Sequence, residues 1–114
     1  MNFQHYRLPE LFCGFDRAEY EVPVNYPVAC HPQAWAAGTI PLLLSVLLGL
    51  EPDAVRNRLK IVRPMLPESV HCLDLCGLRV GKSKVDLHFE RSEGTIGVKV
   101  RRTYGRLRVT IEDR

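Results

Sequence analysis

The stretch RLPELFCGF, Arg7 to Phe15, sets one carboxylate, Glu10, among Leu8, Leu11, Phe12 and Phe15, with the guanidinium of Arg7 three residues earlier. Apolar surroundings raise a carboxyl group's affinity for protons, and a neighbouring arginine lowers it again. A group tuned in this way toward neutral pH suits general-base work, because proton transfer is most efficient when the pKa lies near the working pH. The plain alternative is a charge near the start of a short helix at Pro9 to Phe12, paired with Arg7. On residue types alone the plain reading suffices.

Four cysteines (Cys13, Cys30, Cys72, Cys76) and four histidines (His5, His31, His71, His88) raise the question of a metal site. HCLDLC, His71 to Cys76, is the tightest cluster, flanked by Val70, Leu73, Leu75 and Gly77 in a strand-like pattern. On a strand, Cys72 and Cys76 share a face but stand about 13 Å apart. One zinc ion with bonds of about 2.3 Å cannot reach both. These cysteines are expected as small buried apolar residues, and no metal or cofactor is expected. Cys30 beside His31 resembles a thiol next to a base, but adjacent side chains rarely face each other and no third group orients the pair. RVGKSK, Arg79 to Lys84, lacks the spacing of a phosphate-binding loop and reads as a hairpin turn. Arg101, Arg102, Arg106 and Arg108 form a basic strand face that reads as solvated, with Glu112 and Asp113 alongside.

The elements that carry these residues change character near Pro52. Residues 1–31 read as loop, broken by Gly14, Pro23, Asn25 and Pro27. Pro32 to Gly49 reads as one helix, apolar on nearly every face, bent at Pro41 and stopped at Gly49. Such a helix calls for partners all round. Glu51 to Leu59 reads as one or two further helical turns. Strands follow: LKIVRPML, VHCLDL, a hairpin from Gly77 to Arg91 with Val85, Leu87 and Phe89 on one face, then runs alternating at Ile96, Val98 and Val100 and at Leu107, Val109 and Ile111. Clean alternation implies an antiparallel meander with one buried face, which the Trp35 helix is expected to cover.

The 114 residues bound the chain to one domain or one small domain with an attached segment. With 46% hydrophobic and 25% charged residues the chain is globular rather than disordered. A net charge of +3 is too mild to imply nucleic acid. Pro32 to Leu50 is uncharged, but Gly38, Thr39, Pro41 and Ser45 interrupt it, and its strongly apolar part begins only at Ile40. It falls short of the roughly 20 apolar residues of a membrane span. The first twenty residues hold no apolar leader segment, so reduced thiols and a cytoplasmic setting are expected.

Three stretches together carry a resemblance: RLPELFCGF (7–15), YPVACHPQAWAAG (26–38) and LLGLEPDA (47–54). They resemble, in the same order, the C-terminal part of bacterial amylo-alpha-1,6-glucosidase-like proteins, the family related to glycogen debranching enzyme. Arg63, Pro64, Leu66 and Pro67, and GLRVG at 77–81, are also similar to that family's C-terminal tail. The resemblance implies a C-terminal fragment of a glycoside hydrolase acting on α-1,6-linked glucan. Residues 1–54 would be the end of an (α/α)6 barrel and 55–114 a β-rich appendage. The fold it implies is α+β: an irregular N-terminal segment, one long apolar helix as a barrel remnant, then a small antiparallel sheet. It places Glu10 as the general base, with Arg7, Phe12 and Trp35 against substrate. An inverting glycosidase needs a second carboxyl group about 6.5–9.5 Å away. Asp16, Glu19 and Glu21 lie in a polar loop and do not supply it, so the chain is expected to be inactive alone. The exposed apolar helix is expected to drive homo-oligomerisation. The other reading is a non-catalytic carbohydrate-binding or assembly module that needs a partner chain. An α-glucan or oligosaccharide is the expected ligand, with neither nucleic acid nor membrane.

Overall fold

The computed structural model of the chain describes residues 8–30 and 32–112. Two compact units divide it, Met1–Leu43 and Leu44–Arg114, and the single described helix runs through the boundary.

The first unit is irregular up to that helix. Phe12 and Asn25 form an isolated antiparallel bridge, and the Cys13 N–H donates to the Val24 carbonyl at 2.8 Å. The loop between them turns on Asp16, whose Oδ1 accepts the Ala18 N–H at 2.8 Å and whose carbonyl accepts that of Tyr20 at 3.0 Å. No helical turn forms at Pro9 to Phe12. Glu10 lies at a bend, because the Phe12 bridge holds the following backbone extended.

Helix α1 covers Ala34–Leu47, 14 residues with Pro41 inside, rather than Pro32 to Gly49. Gln33 starts it: the Gln33 carbonyl accepts the Ala37 N–H and its side-chain Oε1 accepts the Ala34 N–H. Gly49 ends it at φ +61°, in the left-handed region that glycine enters without strain. The Leu47 carbonyl, left over at the helix end, accepts the Met65 N–H at 2.8 Å.

The second unit is built of strands. β1 (Leu50–Asp53) and β2 (Arg58–Val62) form an antiparallel hairpin where further helix was expected. Asp53 closes its turn by accepting the Arg56 N–H and guanidinium, both at 3.0 Å. Pro52 is tolerated because β1 is an edge strand, where no inner ladder bond needs its missing N–H. β3 (Cys72–Val80), β4 (Ser83–Ser92) and β5 (Thr95–Tyr104) make the expected antiparallel meander. β6 (Arg108–Glu112) leaves it and pairs in parallel with β2. The result is two three-stranded sheets, ordered β1-β2-β6 and β3-β4-β5.

One core joins the sheets. Leu59 and Ile61 of β2 meet Val80 of β3 and Val85, Leu87 and Phe89 of β4, with Leu48 and Leu66 beside them. Alternation therefore buries one face of each sheet against the other. This corrects the expected architecture. The fold is mostly β, with one short helix, and is neither α+β with a long apolar helix nor the remnant of a helical barrel. Within the second unit the meander's cover is the other sheet with Leu48 and Leu66. Trp35 itself is 63% exposed.

Candidate functional site

Among the residues singled out in the first unit, the structure brings Glu10 to Cys30. The Glu10 Oε2 accepts the Cys30 N–H at 2.8 Å. A hydrogen bond from the Cys30 thiol to Glu10, then the carboxylate's charge and a small loss of hydration, push that thiol's pKa up. A thiol held protonated is a poor nucleophile, so the base next to Cys30 works against thiolate chemistry. Cys30 adjoins His31 in sequence; His31, His5 and Arg7 lie outside the described residues. Phe12, 41% exposed, and Trp35 are both partly open to solvent, as are Phe15, Tyr20 and Tyr26. Phe15 and Tyr20 stack with centroids 4.9 Å apart. Asp16 is occupied with the Ala18 N–H, as a turn residue would be.

In the second unit the cysteines of HCLDLC lie on β3 as expected, but Cys72 and Cys76 are exposed, not buried. Leu73 and Leu75 pack against the core, which turns Cys72 to the opposite face. That outer face carries a polar row across the sheet. His88 Nδ1 lies 2.7 Å from Asp74 Oδ1, and Glu90 Oε2 lies 3.8 Å from His88 Nε2 and 3.6 Å from Lys99 Nζ. Among the described residues no three His, Cys, Asp or Glu side chains converge to hold a metal ion.

The second unit also carries an open cleft of about 420 Å³ lined by Gly77, Lys82, Lys84, Asp86, Tyr104 and Gly105. Its shape comes from two bulges. The β3–β4 register shifts between Leu75 and Leu78, and the β4–β5 register shifts between Asp86 and Leu87. A bulge leaves a residue outside the ladder and re-aims its neighbours. At the first one the Gly77 N–H, with φ +68°, donates to Asp86 Oδ1 at 2.7 Å. Lys84 stands opposite Tyr104 and Asp86 opposite Arg102 across β4 and β5. Arg102 Nη1 donates to Tyr104 Oη at 2.8 Å, and its guanidinium carbon sits 5.8 Å from that ring's centroid. This hydrogen bond, then Tyr104 and Asp86 electrostatically, push the Arg102 pKa up, so it stays charged. Because Tyr104 Oη accepts from Arg102, its own proton is left to donate elsewhere. Gly105, at φ +85°, lets the turn after β5 approach Ser83, since a Cβ there would fall 2.8 Å from Ser83 Oγ.

RVGKSK does form a hairpin turn, yet it also delivers both lysines of this cleft. Tyr104 and Asp86 escaped the sequence reading because what marks them is a cross-strand register, which no local pattern carries. The cleft offers cationic and hydroxyl donors and one carboxylate already holding a backbone N–H. That set suits an anionic, hydroxyl-bearing ligand.

No protein-family model, curated protein or solved structure matches the chain. No described helix is long and apolar enough to cross a membrane.

Proposed function

We propose that the chain serves α-1,6-linked glucan metabolism as a C-terminal, non-catalytic portion of a glycoside hydrolase-like protein of the glycogen-debranching type, inactive alone and cytoplasmic. The motifs RLPELFCGF and PQAWAAG suggest the family. The observation that carries the binding role is the set of exposed rings in the first unit, Phe12, Phe15, Tyr20, Tyr26 and Trp35. A pyranose presents an apolar C–H face, and an open aromatic ring stacks on it while the hydroxyls remain in water. Single exposed apolar residues need no explanation, but several large ones on one short segment favour a binding surface.

Glu10 fits this reading as a positioning residue. Its carboxylate accepts the Cys30 N–H and so ties the two ends of the loop segment together. The exposed apolar residues Ile40, Leu42, Leu43 and Val46 of α1 favour a second role in assembly, through self-association of the helix.

Retention of the chain in native gels cast with glycogen or pullulan tests the proposal. Retardation is expected with both, lost in Phe12→Ala and Trp35→Ala and kept in Glu10→Gln, with no glucose released. Migration unchanged by either polysaccharide would sink the glucan reading. Glucose release by the chain alone, abolished in Glu10→Gln, would restore Glu10 as a base.

A further inference from the structure

The cleft between the β3–β4 turn and the end of β5 lies in the second unit, and the glucan reading makes no use of it. We propose that it is a binding site for the phosphate monoester of a small polyhydroxy compound, with Lys82, Lys84 and Tyr104 taking the phosphoryl oxygens and Asp86 a hydroxyl of the body.

Charge comes first. Two lysines stand against one carboxylate in the lining, and Arg102 adds a third cation behind Tyr104. Asp86 leaves this field net positive, since its single charge stands against Lys82, Lys84 and Arg102, and one of its oxygens already holds the Gly77 N–H. Its remaining acceptor capacity suits a hydroxyl rather than an anion. Donor geometry comes second. Lysine ammoniums are mobile point charges that suit phosphate. The Tyr104 hydroxyl is a fixed donor, oriented by the Arg102 bond it accepts. A dianion meeting several charge-assisted donors gains more from each than a neutral ligand does. Size comes third. At about 420 Å³ the cleft lies within the range of small-ligand sites and is far too large for a phosphate ion alone.

The lysines are separable from the fold, since Lys82 and Lys84 are both exposed. The glycines are not. Gly105 has no room for a Cβ beside Ser83, and Gly77 sits at positive φ, so both report as backbone amides rather than as substitution sites.

The test is titration of the full chain with a hexose phosphate, inorganic phosphate and the unphosphorylated hexose, read by amide NMR shifts and calorimetry. One-to-one saturation is expected for the hexose phosphate, with shifts at the Gly77 and Gly105 amides. Inorganic phosphate should bind at the same amides more weakly, and the bare hexose should not bind there. Lys84→Ala is expected to weaken binding about tenfold and Tyr104→Phe about threefold, with Lys84→Arg restoring most of the loss. Lys99→Ala, which removes the same charge from the same sheet away from the cleft, should leave affinity unchanged. Absence of saturation at millimolar ligand overturns the proposal. So does an equal loss in Lys99→Ala and Lys84→Ala, which would mark a diffuse basic surface. Tighter binding of a single-stranded RNA than of the hexose phosphate, with a steep salt dependence, would point to nucleic acid instead.

Discussion

Cys30 donates its backbone N–H to Glu10 Oε2 at 2.8 Å, across 20 residues of otherwise irregular chain. The same carboxylate raises the pKa of the Cys30 thiol, by hydrogen bond first and charge second. A thiol with a raised folded-state pKa favours the protonated form in the fold. Its contribution is present below the ordinary thiol pKa and is lost as pH rises through the raised value. Alkylation by iodoacetamide at mildly alkaline pH should therefore be slower at Cys30 than at exposed Cys72, and Glu10→Gln should accelerate it at Cys30 alone. Equal rates at Cys30 before and after the substitution would show that Glu10 does not hold the thiol.

Asp53 titrates in the opposite sense. The Arg56 N–H, then the Arg56 side chain, hold its carboxyl below the usual carboxylate range, and Arg58 Nη2 adds charge from 3.7 Å. A depressed folded-state pKa contributes stability above the ordinary carboxylate pKa and loses it as pH falls through the lowered value. Urea midpoints followed from neutral to acid pH should fall for the wild type, and Asp53→Asn should flatten part of that fall. Parallel curves for the two proteins would remove Asp53 from the acid response.

Part of this fold is legible in the sequence. The alternation of Val85, Leu87 and Phe89 marks a half-buried strand, and these are three of the core residues. Gly49 as a helix stop was readable too, since only glycine enters left-handed backbone freely. The β1–β2 hairpin was not, because Glu51 to Leu59 carries charges in the order that suits a helix dipole. Pairing with Lys60 and Arg58 across the hairpin overrode that local preference. The partner of the meander's buried face was hidden for a different reason. β6 joins β2 in parallel only after the whole meander intervenes, and no local signal encodes so distant a contact. Glu10 stood out by its apolar neighbours in sequence, whereas its hydrogen bond from the Cys30 N–H comes from 20 residues away.

Gly49 gives a sharp stability test. A Cβ built there would fall on the Val62 carbonyl, in addition to the strain of φ +61°. Neither can relax cheaply, because the Val62 N–H donates to the Gly49 carbonyl at 2.9 Å and Ile61 beside it is fully buried. Gly49→Ala should cost about 3 kcal/mol from backbone strain and overpacking together. Phe89→Ala, deleting a fully buried ring in the shared core, should cost about 3–5 kcal/mol. Val55→Ala, at a 94% exposed turn position, should cost almost nothing. Chemical denaturation of the three variants would refute the shared core if Phe89→Ala behaved like Val55→Ala.

Helix α1 predicts self-association. Trp35, Leu42 and Val46 recur at the seven- and four-residue spacings that place side chains along one side of a helix, and all three are exposed. Leu43 and Ile40 widen the apolar strip. Fully burying a Val or Leu side chain is worth about 1.5–3 kcal/mol, so pairing two such strips offers several kcal/mol against the entropy of association. That balance favours a weak dimer, with dissociation near the micromolar range. Sedimentation velocity across a dilution series should show a concentration-dependent shift from monomer toward dimer. A charge set into the strip must be desolvated on pairing, so Leu42→Glu should raise the dissociation constant at least about tenfold. The exposed site of Leu42 makes that variant safe for the fold, so unchanged circular dichroism should accompany the loss. A wild-type chain that remains monomeric throughout the series, or a Leu42→Glu chain that associates equally well, would remove the helix strip as the contact.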